Sequence, residues 1–295
     1  MTEQKKAIGL IGAGLMGSGI AASLLRNGYP LLILEHEGNQ PLGPLLEAGA
    51  ATCASISTLA AHSDIVILCV TGTPQVEAVL FGDDGVLAGL RQGATVIDCS
   101  TAIPSSTIRI AQAVHEAGGR FLDAAMTRTP KEAAEGRLNL IVGGDPQDFE
   151  ACLPVMRAYA ENIAHAGPVG AGHQMKLLHN YVSLGFSAVL AEAAACARRL
   201  GTDPQVFCEV LADGGGGGVV LERLRPFIER GDVANFRFSV SNALKDLDYY
   251  CTMAGQSGDP HLVAGSVREL YQQATDAGLA QAPVPELVDL LAPRR

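Results

Sequence analysis

The fold of this chain is decided by the stretch Ala7-Ile8-Gly9-Leu10-Ile11-Gly12-Ala13-Gly14-Leu15-Met16-Gly17. A short apolar run comes first, then three glycines in G-x-G-x-x-G spacing, then a segment typical of a helix. In dinucleotide-binding folds, the first glycine makes a tight turn and the second lets backbone N–H groups approach a pyrophosphate. The third lets the helix pack close to the strand. The alternative is a purely structural glycine turn. The pattern predicts cofactor contacts at Gly12, Gly14, Leu15, Met16 and Gly17.

A second buried strand follows Gly28 and ends in an acidic residue. The strand is Leu31-Leu32-Ile33-Leu34, and Glu35 comes directly after it. In nucleotide-binding α/β folds, an acidic residue about 20 positions after the glycines holds the ribose 2′-hydroxyl. We therefore predict that Glu35 binds the ribose.

Strands and helices alternate up to about residue 166. Further strand candidates have the near-continuous apolar character of a sheet buried on both faces, at 65–70, 95–98, 120–123, 138–142 and 162–165. Helices are expected between the strands, at 15–27, 43–49, 75–80, 105–117 and 146–159. This alternation predicts a doubly wound parallel α/β domain over residues 1–166.

The second half of the chain has a different pattern. Residues 171–200 contain no strand-like run and predict one helix of about 45 Å. Further helical patterns follow at 204–212, 219–230, 240–256, 260–277 and 285–292. We expect an all-α domain over 167–295, with the boundary at Gly167-Pro168-Val169-Gly170. The five glycines of 214–218 are either a flexible loop or a segment that closes over substrate.

Composition excludes several classes of protein. The chain has 295 residues, of which 48% are hydrophobic and 18% charged, as in soluble globular proteins. A net charge of −10 without any Lys/Arg run argues against nucleic-acid binding, and no apolar run is long enough to predict a membrane span. Without a signal peptide before the first strand, we expect a cytoplasmic protein. The seven scattered cysteines lack zinc-ligand spacing, so we expect structural thiols and no metal site.

Lys176 and Asn180 are the candidates for catalysis. They lie four residues apart in an otherwise apolar segment, so they share one face of the predicted helix. An amine on such a helix can donate or accept a proton. The alternative is a lysine that extends along the helix to reach solvent.

A second group of candidates follows predicted strand 120–123. The segment Asp123–Glu132 places Arg128 between Thr127 and Thr129, at the carboxyl edge of the sheet where ligands bind in open α/β folds. A guanidinium there suits a carboxylate, phosphate or sulfonate, and the alternative is an ordinary solvated arginine. Ser100 and Thr101 supply hydroxyls to the same edge. Lys245-Asp246-Leu247 is either a functional pair or an exposed charge pair.

Taken together, the motifs resemble the β-hydroxyacid dehydrogenase family, which includes 3-hydroxyisobutyrate dehydrogenases and tartronate semialdehyde reductases. Four motifs match in the right order: residues 9–17, Asp98-Cys99-Ser100-Thr101, Gly172-His173-Gln174-Met175-Lys176 with Asn180, and Lys245-Asp246-Leu247. The resemblance implies a Rossmann-like domain joined by a long helix to an all-α domain, commonly in a homodimer or homotetramer. It implies that Lys176 is the catalytic acid/base and that Asn180 orients the substrate. Ser100 and Thr101 would lie near the nicotinamide. Predicted cofactor contacts beyond the glycine turn are Glu35, Val70, Thr101 and Lys245.

The chain departs from the family pattern at three places. The substrate loop usually reads Asp-Ala-Pro-Val-Ser-Gly-Gly, whereas here Thr127 replaces the serine and Arg128-Thr129 replace the two glycines. Sulfolactaldehyde reductases are similar in placing an arginine in this loop, so the predicted substrate-binding residues are Ser100, Thr127, Arg128 and Thr129. His179 stands where asparagine is common. Family members that use NADP tend to have asparagine then arginine where this chain has Glu35-His36, so we expect NAD.

The sequence therefore predicts an NAD-dependent dehydrogenase or reductase that acts on a small 3-hydroxy acid or a related anionic aldehyde or alcohol. An imine reductase of the same architecture is one alternative, although such enzymes generally lack the lysine at position 176. A non-catalytic nucleotide-binding module is another.

Overall fold

The computed structural model describes residues 5–292 and divides the chain into two compact units, Met1–Lys176 and Leu177–Arg295. The division falls inside one long helix. The predicted fold class is confirmed, because an α/β unit with Rossmann-like topology is followed by a helical unit. The functional boundary expected after residue 166 stays a prediction.

The first unit is built on one eight-stranded sheet. Its strands are β1 (Ile8–Ile11), β2 (Leu31–Leu34), β3 (Ala51–Cys53), β4 (Ile65–Leu68), β5 (Thr95–Asp98), β6 (Arg120–Thr127), β7 (Leu138–Gly144) and β8 (Ala160–Gly167). They lie in the order β3-β2-β1-β4-β5-β6-β7-β8. The strand order reverses between β1 and β4, and the crevice at the carboxyl ends of those two strands is where such sheets bind ligands.

The sheet is not wholly parallel, and here the sequence prediction was wrong. β7 pairs antiparallel to β6, and β8 then runs parallel to β7. The connection 128–137 is shorter than the dozen or more residues that a parallel crossover needs. The chain therefore turns back alongside β6.

The sequence missed one strand and ended another four residues early. The sequence missed β3, a three-residue edge strand too short to show a period. It also ended β6 at Asp123, whereas the strand continues to Thr127 by pairing with β7. Segment 124–127 is thus strand and not the expected loop, because local sequence does not reveal its antiparallel pairing with β7.

Helices cover both faces of the sheet. They are α1 (Leu15–Arg26), α2 (Gly43–Glu47), α3 (Ile56–Ala61), α4 (Thr73–Phe81), α5 (Val86–Gly89), α6 (Pro104–Glu116), α7 (Pro130–Glu135) and α8 (Pro146–Met156). The short helices α3, α5 and α7 were not predicted. On one face Ile20 and Leu24 of α1 belong to the same buried cluster as Leu10, and on the other Leu59 and Val114 cluster with sheet residues.

The second unit is helical, as predicted. It contains most of α9 (Ala171–Leu200), then α10 (Pro204–Ala212), α11 (Val219–Arg230), α12 (Val240–Ser257), α13 (Leu262–Ala274) and α14 (Leu287–Leu291). The helix expected over 260–277 ends early as a regular α-helix, because a π-helical turn with Gly278 at φ +87° follows it. A 3₁₀ turn, Val284–Glu286, precedes α14. The glycines of 214–218 connect α10 to α11.

Helix α9 is long and apolar enough to cross a membrane by length and composition alone. Its buried face contributes Leu184, Ala188, Ala191 and Ala195 to the hydrophobic core of the second unit. We interpret it as a core helix, since these side chains are already packed against protein.

Candidate active site

The glycine turn has the geometry that the sequence predicts for a pyrophosphate site. A Cβ at Gly12, where φ is +96°, would lie 2.4 Å from the carbonyl oxygen of Cys69, and a Cβ at Gly17 would lie 1.9 Å from the carbonyl oxygen of Gly12. These two glycines are therefore required for close backbone packing. A Cβ at Gly14 would meet nothing within 4 Å, so open space borders the first turn of α1.

The first turn of α1 also supplies backbone donors. The N–H groups at the start of α1, including those of Leu15 and Met16, cannot bond within the helix. The side chain of Asn39 accepts the N–H of Ala13 at 3.1 Å and donates to the carbonyl of Leu34 at 2.8 Å, which braces the turn. The turn therefore fits a dinucleotide diphosphate, which would bind at the helix N-terminus.

Glu35 lies just beyond the carboxyl end of β2, held by the neighbouring edge strand. The hydroxyl of Thr52 in β3 donates to Glu35 Oε1 at 2.6 Å, and the Glu35 N–H donates to the carbonyl of Cys53 at 2.8 Å. The exposed carboxylate thus has a fixed place at the end of β2, where a ribose hydroxyl could donate to it. Thr52 was not predicted, because β3 was missed.

Polar groups after β4 and β5 meet at the same sheet edge. The Val70 N–H donates to Ser100 Oγ at 3.0 Å, and the Ser100 N–H donates to Asp98 Oδ1 at 2.9 Å. A Cβ at Gly12 would also lie 3.2 Å from a Val70 methyl group. The structure therefore brings Gly12, Val70 and Ser100 together, with Thr101 next in the chain.

A buried carboxylate anchors the start of α9, the helix that carries Lys176. Asp123 of β6 is fully buried and accepts the N–H of Gly170 at 2.7 Å and that of His173 at 2.8 Å. Asp123 thereby caps the start of α9 from a neighbouring strand. An ordinary N-cap residue does the same from the residue that precedes the helix. Lys176 lies one turn beyond His173.

The imidazole of His173 extends this buried network. Its Nδ1 lies 2.7 Å from Thr107 Oγ1, and its Nε2 lies 4.0 Å from Asp98 Oδ2. Burial raises the pKa of Asp98, an effect opposed by His173 and by the hydrogen bonds from Ser100. Hydrogen bonds thus tie the end of β6 and helix α6 to the first turn of α9, and the His173 ring lies beside the end of β5.

The loop after β6 holds Arg128 in an unusual conformation. Among residues 5–292, Arg128 is the one non-glycine residue with a positive φ, +81°. Its Nη1 donates to Glu161 and to the carbonyl of Arg137, and this ion pair lowers the pKa of Glu161. Nε and Nη2 of Arg128 have no acceptor within the described part of the chain. Two donors thus remain for an anion.

The two threonines that flank Arg128 differ in their hydrogen bonding. Thr129 forms a capping box with Glu132 at the start of α7, so both its donor and acceptor functions are used locally. Thr127 Oγ1 accepts a hydrogen bond from Asn139, so its own O–H remains available to donate to another partner. The substrate contacts predicted for Thr127 and Thr129 stay predictions. Of the two hydroxyls, only that of Thr127 still has its proton available to donate.

In the second unit, Asn180 belongs to a chain of polar contacts. Its Nδ2 donates to Asp246 at 2.5 Å, and its Oδ1 lies 2.9 Å from Nδ1 of His179. Lys245 Nζ lies 3.2 Å from Asp246 Oδ1 and 5.5 Å from the ring centroid of Tyr249. Asp246 is only 3% exposed, which excludes the alternative that Lys245-Asp246 is an exposed charge pair.

Comparison with known proteins decides the family. Residues 7–167 match the NAD binding domain of 6-phosphogluconate dehydrogenase, and residues 170–291 match the NAD-binding domain of NADP-dependent 3-hydroxyisobutyrate dehydrogenase. The 3-sulfolactaldehyde reductase of Escherichia coli strain K12 is 31% identical over 273 residues, 92% of this chain and 91% of that protein. The chain belongs to the β-hydroxyacid dehydrogenase family.

Other β-hydroxyacid dehydrogenases agree with this assignment. The 2-hydroxy-3-oxopropionate reductase of Escherichia coli strain K12 is 35% identical over 220 residues, 73% of each chain. The crystal structure of 3-hydroxyisobutyrate dehydrogenase from Salmonella typhimurium is 27% identical and has a TM-score of 0.83, covering 96% of this chain and 99% of that one. This β-hydroxyacid dehydrogenase is thus an NAD(P)-dependent oxidoreductase that acts on CH–OH groups.

Sequence reasoning did not find several residues that the structure places at the candidate site. None of four such residues belongs to a motif: Thr52, Asn139 and Asn162 become visible only through the register of β3, β7 and β8, and Glu161 only through its ion pair with Arg128. Asp246 and His173 stood inside quoted motifs, but nothing in their spacing indicated burial. No local signal could have found the first four.

Proposed function

We propose that the enzyme oxidises a small 3-hydroxy acid, or reduces the corresponding aldehyde, with a carboxylate or sulfonate as the anionic end. The observation that carries the proposal is Arg128. Glu161 and a backbone carbonyl hold its guanidinium through Nη1, and Nε and Nη2 remain to bind a two-oxygen anion in the fork geometry of arginine. The similarity to 3-sulfolactaldehyde reductase supports this substrate class.

Each candidate residue has its own role in the proposed reaction. Bound NAD supplies the hydride-accepting C4 of the nicotinamide. Lys176 takes the proton of the substrate hydroxyl in oxidation and returns it in reduction. Asn180, whose amide is fixed by Asp246, orients the same hydroxyl from one turn further along α9. Arg128, Thr127 and Ser100 hold the anionic end and the remaining hydroxyls, so that the reacting carbon has one orientation.

The substrate class is tested by a panel measured through absorbance at 340 nm. The panel contains 3-hydroxyisobutyrate, 2,3-dihydroxypropane-1-sulfonate and glycerol 3-phosphate, with glycerol as the uncharged control and a cyclic amine as the imine-reductase control. We expect the carboxylate or the sulfonate to show the highest kcat/KM, at least 100-fold above glycerol, because a charged bidentate contact is lost with glycerol. Turnover of the amine alone would assign the protein to imine reduction. Tight NADH binding without any turnover would favour a non-catalytic role.

We also propose that the enzyme prefers NAD to NADP. The Glu35 carboxylate, fixed by Thr52, accepts a ribose 2′-hydroxyl and repels a 2′-phosphate. We expect kcat/KM for NADH to exceed that for NADPH by at least tenfold, and Glu35→Asn to narrow the gap. Thr52→Val removes the supporting bond but keeps the charge, so we expect a smaller change. An equal or higher kcat/KM for NADPH in the wild type would contradict the assignment.

Three further expectations stay proposals. Assembly as a homodimer or homotetramer rests on the family resemblance. A cytoplasmic location rests on the seven scattered cysteines, which suit free thiols in a reducing compartment. The functional domain boundary after residue 166 rests on the change of sequence pattern at Gly167-Pro168-Val169-Gly170.

A further inference from the structure

Three polar side chains form a ladder across the end of the sheet. Thr127 is the last residue of β6 and pairs with Asn139 of β7, which in turn pairs with Asn162 of β8. Directly paired residues point to the same face of a sheet, so the three side chains lie in a row. We call them the Thr127–Asn139–Asn162 ladder.

The hydrogen bonds of the ladder run in one direction. Asn162 Nδ2 donates to Asn139 Oδ1 at 2.9 Å, and Asn139 Nδ2 donates to Thr127 Oγ1 at 3.1 Å. A side-chain amide has one end that only accepts and one that only donates. Asn162 therefore orients Asn139, and Asn139 occupies a lone pair of the Thr127 hydroxyl. The hydroxyl proton has no acceptor among residues 5–292.

The Thr127 hydroxyl lies on the same face of the sheet as Asp123. Side chains alternate along β6, so Thr127 shares its face with Ala125 and with Asp123. Asp123 on that face caps the start of α9, one turn before Lys176. Arg128 follows directly with its two remaining donors. This end of β6 thus offers hydrogen-bond donors from neighbouring residues.

We infer that Asn139 and Asn162 are specificity-determining positioning residues, which fix the Thr127 hydroxyl as a donor. The inference rests on the proposed function, in which Thr127 contacts the anionic end of the substrate. A hydroxyl fixed as donor favours a group that only accepts, such as a carboxylate or sulfonate, over one that only donates, such as an ammonium. Neither asparagine touches the substrate; both act through Thr127.

Asn162→Asp tests the direction of the ladder without altering Thr127. A carboxylate at position 162 only accepts, so Asn139 turns its Nδ2 toward it and its Oδ1 toward Thr127, whose proton is then used internally. We expect KM for 3-hydroxyisobutyrate or 2,3-dihydroxypropane-1-sulfonate to rise about tenfold, because a charge-assisted hydrogen bond is lost. Asn162→Ala removes the orientation of Asn139 without reversing it, so we expect a smaller rise in KM, of about threefold. Residue 162 is exposed, so both variants are expected to fold.

A Thr127→Val background separates the ladder from simple charge repulsion. If Asn162→Asp acts through the hydroxyl, its effect on KM disappears in that background, since coupled residues are not additive. Persistence of the effect would show repulsion by the new charge and overturn the inference. An unchanged KM in Thr127→Val alone would overturn it too, while leaving the dehydrogenase activity intact. If the wild-type enzyme were inactive on both anionic substrates, the proposed function would be wrong, and the inference would fail with it.

Discussion

Lys176→Ala is expected to lower kcat by about 10²–10⁴-fold, the range that a positioned general acid or base contributes. The proton of the substrate hydroxyl would then have to reach water. Binding of NADH should stay within a few-fold of wild type, because the glycine turn and Glu35 are untouched. The measurement is steady-state kcat on the best substrate of the panel, together with NADH titration by fluorescence.

Two further variants make that result specific. Lys131→Ala removes an exposed lysine from α7 of the same unit and is expected to keep wild-type kcat. Lys176→Met keeps the length and the apolar stem of the lysine, so it should lose as much activity as alanine if the amine is what matters. If Lys176→Ala kept more than a few per cent of wild-type kcat, the acid/base role would be wrong.

The parts of the site that sequence could predict are those built from neighbouring residues. Gly12, Gly14 and Gly17 sit within one turn, so their spacing alone predicts a tight turn and an exposed helix start, and the structure has both. Glu35 follows its strand directly. The helix that carries Lys176 and Asn180 is long and regular, so its period is readable.

The parts that escaped prediction depend on contacts between distant segments. Asp123 caps a helix whose first turn lies almost fifty residues later, which no spacing rule encodes. Asn139 and Asn162 matter only because β7 returns antiparallel and fixes their register with Thr127. For Asp246 the sequence leaves open a functional or an exposed charge pair, and only its burial beside Asn180 decides between them. In each case the tertiary partner, and not the local propensity, gives the residue its role.

At Arg128 the backbone conformation and the side chain have opposite effects: the first lowers stability, and the second is proposed to bind the substrate. A positive φ costs a non-glycine residue about 1 kcal/mol or more, and the family usually has glycine here. Strained residues of this kind persist where function requires the side chain. The Arg128→Gly variant should therefore separate the two effects.

We expect Arg128→Gly to unfold at a higher temperature than wild type by a few degrees, and to lose about 100-fold or more in kcat/KM for the anionic substrate. Arg128→Lys keeps the charge without the fork, so its loss should be smaller but clear. Glu161→Gln keeps the hydrogen-bond acceptor and removes the ion pair. Because Glu161 uses Nη1 and the substrate would use Nε and Nη2, we expect only a few-fold rise in KM. A fall in KM would mean that Glu161 competes with the substrate for the guanidinium, and wild-type kcat/KM in Arg128→Gly would exclude Arg128 from the site.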